Sequence, residues 1–322
     1  MNQTDHIGFI GMGAMGFPIA CGLHRAGYQM LLPTYRPCYL RGFSPLAPDS
    51  KRKKALLEEM LRQGAKAMES QSALIAASNI PLLSLPTSTQ VEEVMYASDG
   101  ILAHMKPGGI VIDLTSSDPE STRKLAAELE AKDNCLLDAP VSGGPVGASA
   151  QTLSVMVGGR REIFERCLPI FHTLGSAEKI YYMGPSGAGD TIKCANNFLS
   201  SCCFAATAEA LTVCARAGID LRDAVRVINN SGGASNATSS KFPNLIFPGK
   251  NMGMSVELMR KDIRLFLETA RKYDVPAFFG STDYQIYNLP VAQGEGKTDF
   301  QCLIGLYEQW ASVKLRGIAE DK

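Results

Sequence analysis

The feature that most constrains this chain is a glycine-rich turn at its very start. His6 to Ile10 is a short apolar run, and Gly11-Met12-Gly13-Ala14-Met15-Gly16 follows it directly. The spacing G-x-G-x-x-G asks for a tight reversal out of a strand and straight into a helix, read here over Ala14 to Arg25 and broken at Gly27. Glycine permits the reversal and lets a bulky group approach the backbone. The unpaired amides and dipole of the helix start then favour a pyrophosphate. In that context the turn belongs to a βαβ unit, and so to a parallel sheet covered by helices. The alternative is a glycine-rich turn with no ligand.

The rest of the first half keeps the same rhythm. Tyr28 to Leu32, Ile80 to Leu85, Ile110 to Leu114, Cys135 to Val141 and Leu153 to Val157 read as strands, with helical patterns between them. Lys51 to Arg62 reads as a helix. The Pro37 to Ser50 stretch, with Pro45, Pro48, Gly42 and Ser44, is a long loop of the kind that is often functional. After Gly187 strand signals stop. Thr191 to Ala217 reads as one long helix, followed by amphipathic helices over Asp220 to Ile228, Val256 to Tyr273 and Thr298 to Leu315. The turns Ser231-Gly232-Gly233 and Phe247-Pro248-Gly249 separate them. The expected architecture is an α/β domain over residues 1–186 and an all-helical domain over 187–322, joined by the long helix.

Composition excludes several classes. Lysine plus arginine and aspartate plus glutamate both number 32, so no basic excess suits nucleic acid. Lys51-Arg52-Lys53-Lys54 is a lone basic run and reads as a solvated helix start. The nine cysteines include no Cys-x-x-Cys pair, and His6, His24, His104 and His172 lack ligand spacing, so no metal site is expected. Reduced thiols and the lack of a leader pattern make a cytoplasmic location the expectation. Phe198 to Ala215 is apolar but contains Glu209, and reads as a buried helix rather than a membrane span.

Four further segments carry chemistry. At the end of the second strand, Pro33-Thr34-Tyr35-Arg36 has no acid to hold an adenosine ribose. Arg36, with Thr34, suits a 2′-phosphate, which makes NADP expected over NAD; the alternative is a surface arginine. In Asp138-Ala139-Pro140-Val141-Ser142-Gly143-Gly144-Pro145, a hydroxyl and exposed amides can grip a carboxylate, or form a plain turn. Lys193 and Asn197 share a helix face at i,i+4 among Ile192, Cys194, Ala195, Phe198 and Leu199. Burial there would lower a lysine pKa toward acid/base use, although as an isolated pair a snorkelling lysine is the simpler reading. Lys261-Asp262 by itself reads as a surface ion pair.

Together these segments resemble the β-hydroxyacid dehydrogenase family, which includes 3-hydroxyisobutyrate dehydrogenases and tartronate semialdehyde reductases. The resemblance runs through Gly8 to Gly16, Leu85-Pro86-Thr87, Asp113-Leu114-Thr115-Ser116, Asp138 to Gly144, Gly189 to Asn197 and Lys261-Asp262. It implies a Rossmann domain followed by a helical one, and a hydride transfer between NAD(P) and a small hydroxy acid. It also implies roles: Lys193 as general acid/base, Asn197 binding substrate and orienting the lysine, and Ser142, Gly143 and Gly144 holding the substrate carboxylate. Gly11, Met12, Gly13, Ala14, Met15, Leu85, Pro86, Thr87 and Ser116 would contact the cofactor, with Lys261 near its nicotinamide end. Homodimers or homotetramers are common in the family.

The sequence departs from the family pattern at Gln151, where glycine is usual, at Ser116, where threonine is usual, and in the length of Pro37 to Ser50. Two rivals remain: an imine reductase-like enzyme and a non-catalytic NADP-binding protein of the same fold. The retained Lys193 argues against both. The side chains that would read the far end of a substrate fall between Ser231 and Lys241, where no motif decodes them.

Overall fold

The computed structural model describes residues 6–33 and 50–318. Thr34, Arg36 and most of the Pro37 to Ser50 stretch therefore lie outside the described residues. The chain divides into two compact units, Met1–Lys193 and Cys194–Lys322.

In the first unit the order is β1 (His6–Ile10), α1 (Gly16–Arg25), β2 (Gln29–Pro33), α2 (Ser50–Arg62), β3 (Lys66–Met68), α3 (Gln71–Ala77) and β4 (Ile80–Leu83). Then come α4 (Ser88–Tyr96), α5 (Ile101–His104), β5 (Ile110–Asp113), α6 (Pro119–Glu130), β6 (Cys135–Asp138) and β7 (Val141–Ser142). It ends with α7 (Gly144–Ala150), β8 (Ser154–Gly158), α8 (Arg161–Phe171) and β9 (Ile180–Gly184). The strands form one sheet in the order β3-β2-β1-β4-β5-β6-β8-β7, with β9 also paired to β8. From β3 to β6 every pairing is parallel, the doubly wound order whose ligands sit beyond the carboxyl ends of the strands. β8 runs antiparallel to β6 and β7.

Both faces of this sheet are buried. Ile7, Phe9, Met30, Leu32, Ile80, Leu82, Ile110 and Ile112 point into one core, while Ile10, Leu31, Leu83 and Val111 point into the other. That is why the strands read as unbroken apolar runs rather than alternating ones. The expected strand over Cys135 to Val141 is in fact two, because Ala139-Pro140 interrupts it and Pro140 has no amide for the ladder.

Helix α9 (Ala188–Arg216) begins in the first unit and continues into the second. It is long and apolar enough to cross a membrane by length and composition. Its Phe204, Ala205, Ala208 and Leu211 are buried in the core of the helical unit. The other elements there are α10 (Leu221–Asn229), a π-helix over Ala237–Ile246, α11 (Val256–Lys272), α12 (Phe278–Ala292) and α13 (Cys302–Ala311). The Asp220 carboxylate caps α10 by accepting from the Arg222 and Asp223 amides, and Ser255 Oγ caps α11 by accepting from Leu258 N. The helix expected over Thr298 to Leu315 is shorter. Asp299 spends its carboxylate on the amides of Gly253 and Gln301 just before the helix starts, and Ser312 turns left-handed at its end.

Candidate active site

The glycine turn stands at the carboxyl end of β1, where the strand order reverses toward β4. Each glycine has a separate physical reason. Gly11 has φ +104°, and a Cβ there would run into the carbonyl of Ser84 beyond β4. A Cβ on Gly16 would collide with the carbonyl of Gly11, so only glycine lets α1 pack onto the turn that feeds it. Gly13 is different: a Cβ there would meet nothing within 4 Å. Among the described residues no side chain caps α1, and its first turn holds no acid. A helix start of this kind, with no acid in its first turn, suits a pyrophosphate.

The other expected cofactor contacts lie along the same sheet edge. Leu85 N donates to Thr115 Oγ1 at 3.0 Å, which ties the segment after β4 to the segment after β5. Thr87 begins α4 and donates its hydroxyl to Gln90 Oε1. Pro86, Thr87 and Ser116 are half-buried. Asp113, at the end of β5, shapes this loop: Oδ1 accepts from Thr115 N at 2.9 Å and Oδ2 from Ser117 Oγ at 3.2 Å. Burial pushes the Asp113 carboxyl up to about 6.

Ser142 closes β7 opposite Ser154, and Gly143 and Gly144 follow with φ +134° and +63°. Two successive left-handed residues turn the chain out to solvent, where both glycines are exposed. This is a built reversal that exposes backbone amides beside a hydroxyl, the arrangement a carboxylate needs. The departure at Gln151 also has a structural reason. It ends α7 in the left-handed region at φ +57°, a position where glycine costs least, and its side chain offsets part of that cost by donating to the Thr173 carbonyl at 2.9 Å.

The first turn of α9 is held by two buried carboxylates. Asp138, at the end of β6, accepts from Gly187 N at 2.9 Å and Asp190 N at 3.0 Å, so it caps the helix. Asp190 in turn accepts from Ser117 N at 3.0 Å and from Thr122 Oγ1 at 2.7 Å. Gly189 permits the approach, since a Cβ there would strike the carbonyls of Met156 and Asp138. Burial raises the Asp138 carboxyl to about 6, and raises Asp190 well above the ordinary range, helped by the charges of Asp138 and Asp113. Lys193 lies one turn beyond Asp190 and is 7% exposed. Ile192 and Leu199 beside it are exposed, so the burial is specific to the lysine's face of the helix.

In the helical unit, Asn197 Nδ2 donates to Asp262 Oδ2 at 2.6 Å. Lys261 Nζ lies 2.8 Å from Asp262 Oδ1 as an ion pair. Asp262 is buried, and the side chain of Lys261 is 11% exposed. The surface ion pair expected at 261–262 is therefore a buried one. The reason is the neighbouring amide: a carboxylate can stay buried when it has both a cation and a hydrogen-bond donor. The bond fixes the Asn197 amide with its oxygen turned away from Asp262, where it accepts from Asn196 Nδ2 at 3.1 Å and keeps a second lone pair.

The first unit thus gathers Gly11 to Gly16, Leu85 to Thr87 and Ser116 along one sheet edge, and carries Ser142 to Gly144 and Lys193. The second gathers Asn197 and Lys261 around Asp262. Asp138, Asp190 and Asp262 were not singled out from the sequence for these tasks. For Asp190 the available signal was an acid in the first turn of an apolar helix, three residues before a lysine.

A family model described as the NAD binding domain of 6-phosphogluconate dehydrogenase matches residues 41–184. A second, described as NAD-binding of NADP-dependent 3-hydroxyisobutyrate dehydrogenase, matches residues 187–307. The chain is 34% identical over 318 residues to 2-(hydroxymethyl)glutarate dehydrogenase of Eubacterium barkeri, covering 98% of this chain and 99% of that one. It is 31% identical to 2-hydroxy-3-oxopropionate reductase of Escherichia coli, covering 96% and 99%. Among solved structures, a 3-hydroxyisobutyrate dehydrogenase of Mycobacterium tuberculosis with L-serine superposes with a TM-score of 0.77 at 26% identity, covering 94% and 99%.

Proposed function

Because this chain belongs to the β-hydroxyacid dehydrogenase family, whose members are NAD(P)-dependent oxidoreductases, we propose that Lys193 is the proton-transfer residue of its reaction on a small hydroxy acid. The nicotinamide, when bound, supplies or takes the hydride. The glycine turn and the acid-free start of α1 suit its pyrophosphate. Lys193 Nζ takes the hydroxyl proton in oxidation and returns it in reduction. Ser142 Oγ and the amides of Gly143 and Gly144 hold the carboxylate, which fixes the carbinol carbon. Asn197, oriented by Asp262, presents its amide oxygen to the lysine or the hydroxyl.

The observation that carries this reading is the placement of Lys193. It is a buried lysine one turn past a helix start pinned by Asp138 and Asp190. Such anchoring holds a catalytic group in place more firmly than a loop could. The same reading includes preference for NADP through Arg36, homo-oligomeric assembly and a cytoplasmic setting. A turnover screen of three- to five-carbon hydroxy acids with both cofactors tests it. Turnover confined to acids with a free carboxylate is expected, and equal turnover of their amides would remove the role given to Ser142.

A further inference from the structure

The turn that joins α11 to α12 is more apolar than a solvent-facing turn needs to be. Tyr273, Val275, Phe278 and Phe279 are all exposed, the last two at 81% and 76%. Gly280 lets the start of α12 lie close against α11, since a Cβ there would stand 3.0 Å from Leu267 and 3.3 Å from Phe266. The two rings therefore project from a well-packed corner of the helical unit. Beside them is an open groove of about 530 Å³, with Leu267, Ala270, Val275 and Pro276 among its walls. A projecting aromatic pair and an apolar groove on one patch make a knob and a hole. Contiguous exposed apolar surface of this kind marks protein contacts, and aromatic residues are enriched at their centres.

The charges on the same groove select the partner. Arg264, Glu268 and Arg271 follow at i, i+4 and i+7 along α11, and Asp274 comes just past its end. The groove is thus edged by signs that alternate plus, minus, plus, minus. Arg264 Nε lies 4.0 Å from Glu268 Oε1, a loose pairing that leaves both groups able to meet a further partner. The row has no net charge, which suits neither a polyanion nor a strongly acidic or basic peptide. In reverse order, the row has every sign exchanged. An identical helix laid antiparallel across it therefore meets an opposite charge at each point: Arg264 faces Asp274, and Glu268 faces Arg271, twice over. The midpoints of these two pairings fall at positions 269 and 269.5, less than about 1 Å apart at about 1.5 Å per residue, so one twofold axis serves both. A parallel partner in register would set like against like.

We infer that the α11–α12 face is a self-recognition surface. A second copy of this chain docks on it about a twofold axis, with the α11 helices antiparallel and the Phe278–Phe279 tip of each copy in the groove of the other. This rests on the reading that the chain assembles with itself, and it names the surface responsible.

Charge reversal with complementation tests the assignment, read by sedimentation velocity at several protein concentrations, with circular dichroism as the check on folding. The wild type should sediment as a dimer or a multiple of one. Glu268→Arg sets arginine against arginine at both symmetric points, and Arg271→Glu sets glutamate against glutamate. Each alone should halve the mass, with a dissociation constant at least about a hundredfold higher, the scale of like charges brought into contact. Mixed one to one, the two variants face opposite charges again and should recover the wild-type mass, which misfolded chains could not do. Single variants that keep the wild-type mass, or that dissociate without recovery on mixing, overturn the inference. A monomeric wild type fails differently: it removes self-assembly itself, and this surface with it.

Discussion

Replacing Asp113 by asparagine should make the protein more stable at neutral pH, with no gain in acid. Asp113 is fully buried and ionises at about 6 instead of near 3.8. An acid whose folded pKa is raised holds its proton more tightly in the folded state. Its contribution to stability is therefore complete below the unfolded pKa and is lost as pH rises through the folded one. The interval from 3.8 to about 6 corresponds to on the order of 3 kcal/mol, at about 1.4 kcal/mol per tenfold in proton affinity. Asparagine is isosteric and can meet both partners. Its oxygen accepts from Thr115 N, and its NH2 donates to Ser117 Oγ, whose hydroxyl turns to accept. Both partners are kept, and the cost of a buried charge disappears. Urea unfolding of both proteins at pH 4.5, 5.5, 6.5 and 7.5 measures the difference. The advantage of Asp113→Asn should be small at pH 4.5 and approach about 3 kcal/mol by pH 7.5. A difference that stays flat with pH, or that reverses so that asparagine is worse at pH 7.5, would refute the argument.

Three further outcomes follow from the site. Gly13→Ala should fold with wild-type stability, because its Cβ meets open space, yet weaken cofactor binding measured by fluorescence titration; unchanged affinity would move the pyrophosphate elsewhere. Asp262→Ala should lower kcat/KM by roughly tenfold or more by freeing the Asn197 amide and unpairing Lys261, the scale of a lost charged hydrogen bond; an unchanged kcat/KM would remove its positioning role. Arg36→Ala should weaken NADP(H) by about tenfold or more and leave NAD(H) nearly unchanged, as loss of a charge-assisted phosphate contact requires; a native enzyme with better kcat/KM on NAD(H) would contradict the preference.

The first unit was largely legible because its signals are local. A strand buried on both faces is an apolar run, and a glycine turn between β1 and α1 has few other uses. What escaped was short or irregular. β3 has three residues, and β7 follows a proline within what reads as one strand. In the helical unit, α12 has Gly280 and Pro290 inside it, and its apolar positions keep no clear stripe. A π-helix has no familiar sequence period, so Ala237–Ile246 could not be anticipated. The candidate site divides in the same way. Lys193, Asn197 and the glycines sit in motifs, whereas Asp138, Asp190 and Asp262 act through bonds to residues 49 to 73 positions away. Such bonds are set by the fold and leave no spacing to read.

The central claim is that Lys193 carries the proton, and the kcat of Lys193→Ala tests it most directly. Asp138 and Asp190 pin the turn before it, so removing the side chain beyond Cβ should leave the helix start intact. Saturating substrate and cofactor should give a kcat lower by roughly 10²–10⁴, the usual contribution of a general acid/base, with cofactor affinity near wild type. Lys193→Arg should be equally poor, since a guanidinium does not deprotonate at working pH. A folded, saturable Lys193→Ala enzyme with near-normal kcat would contradict the mechanism.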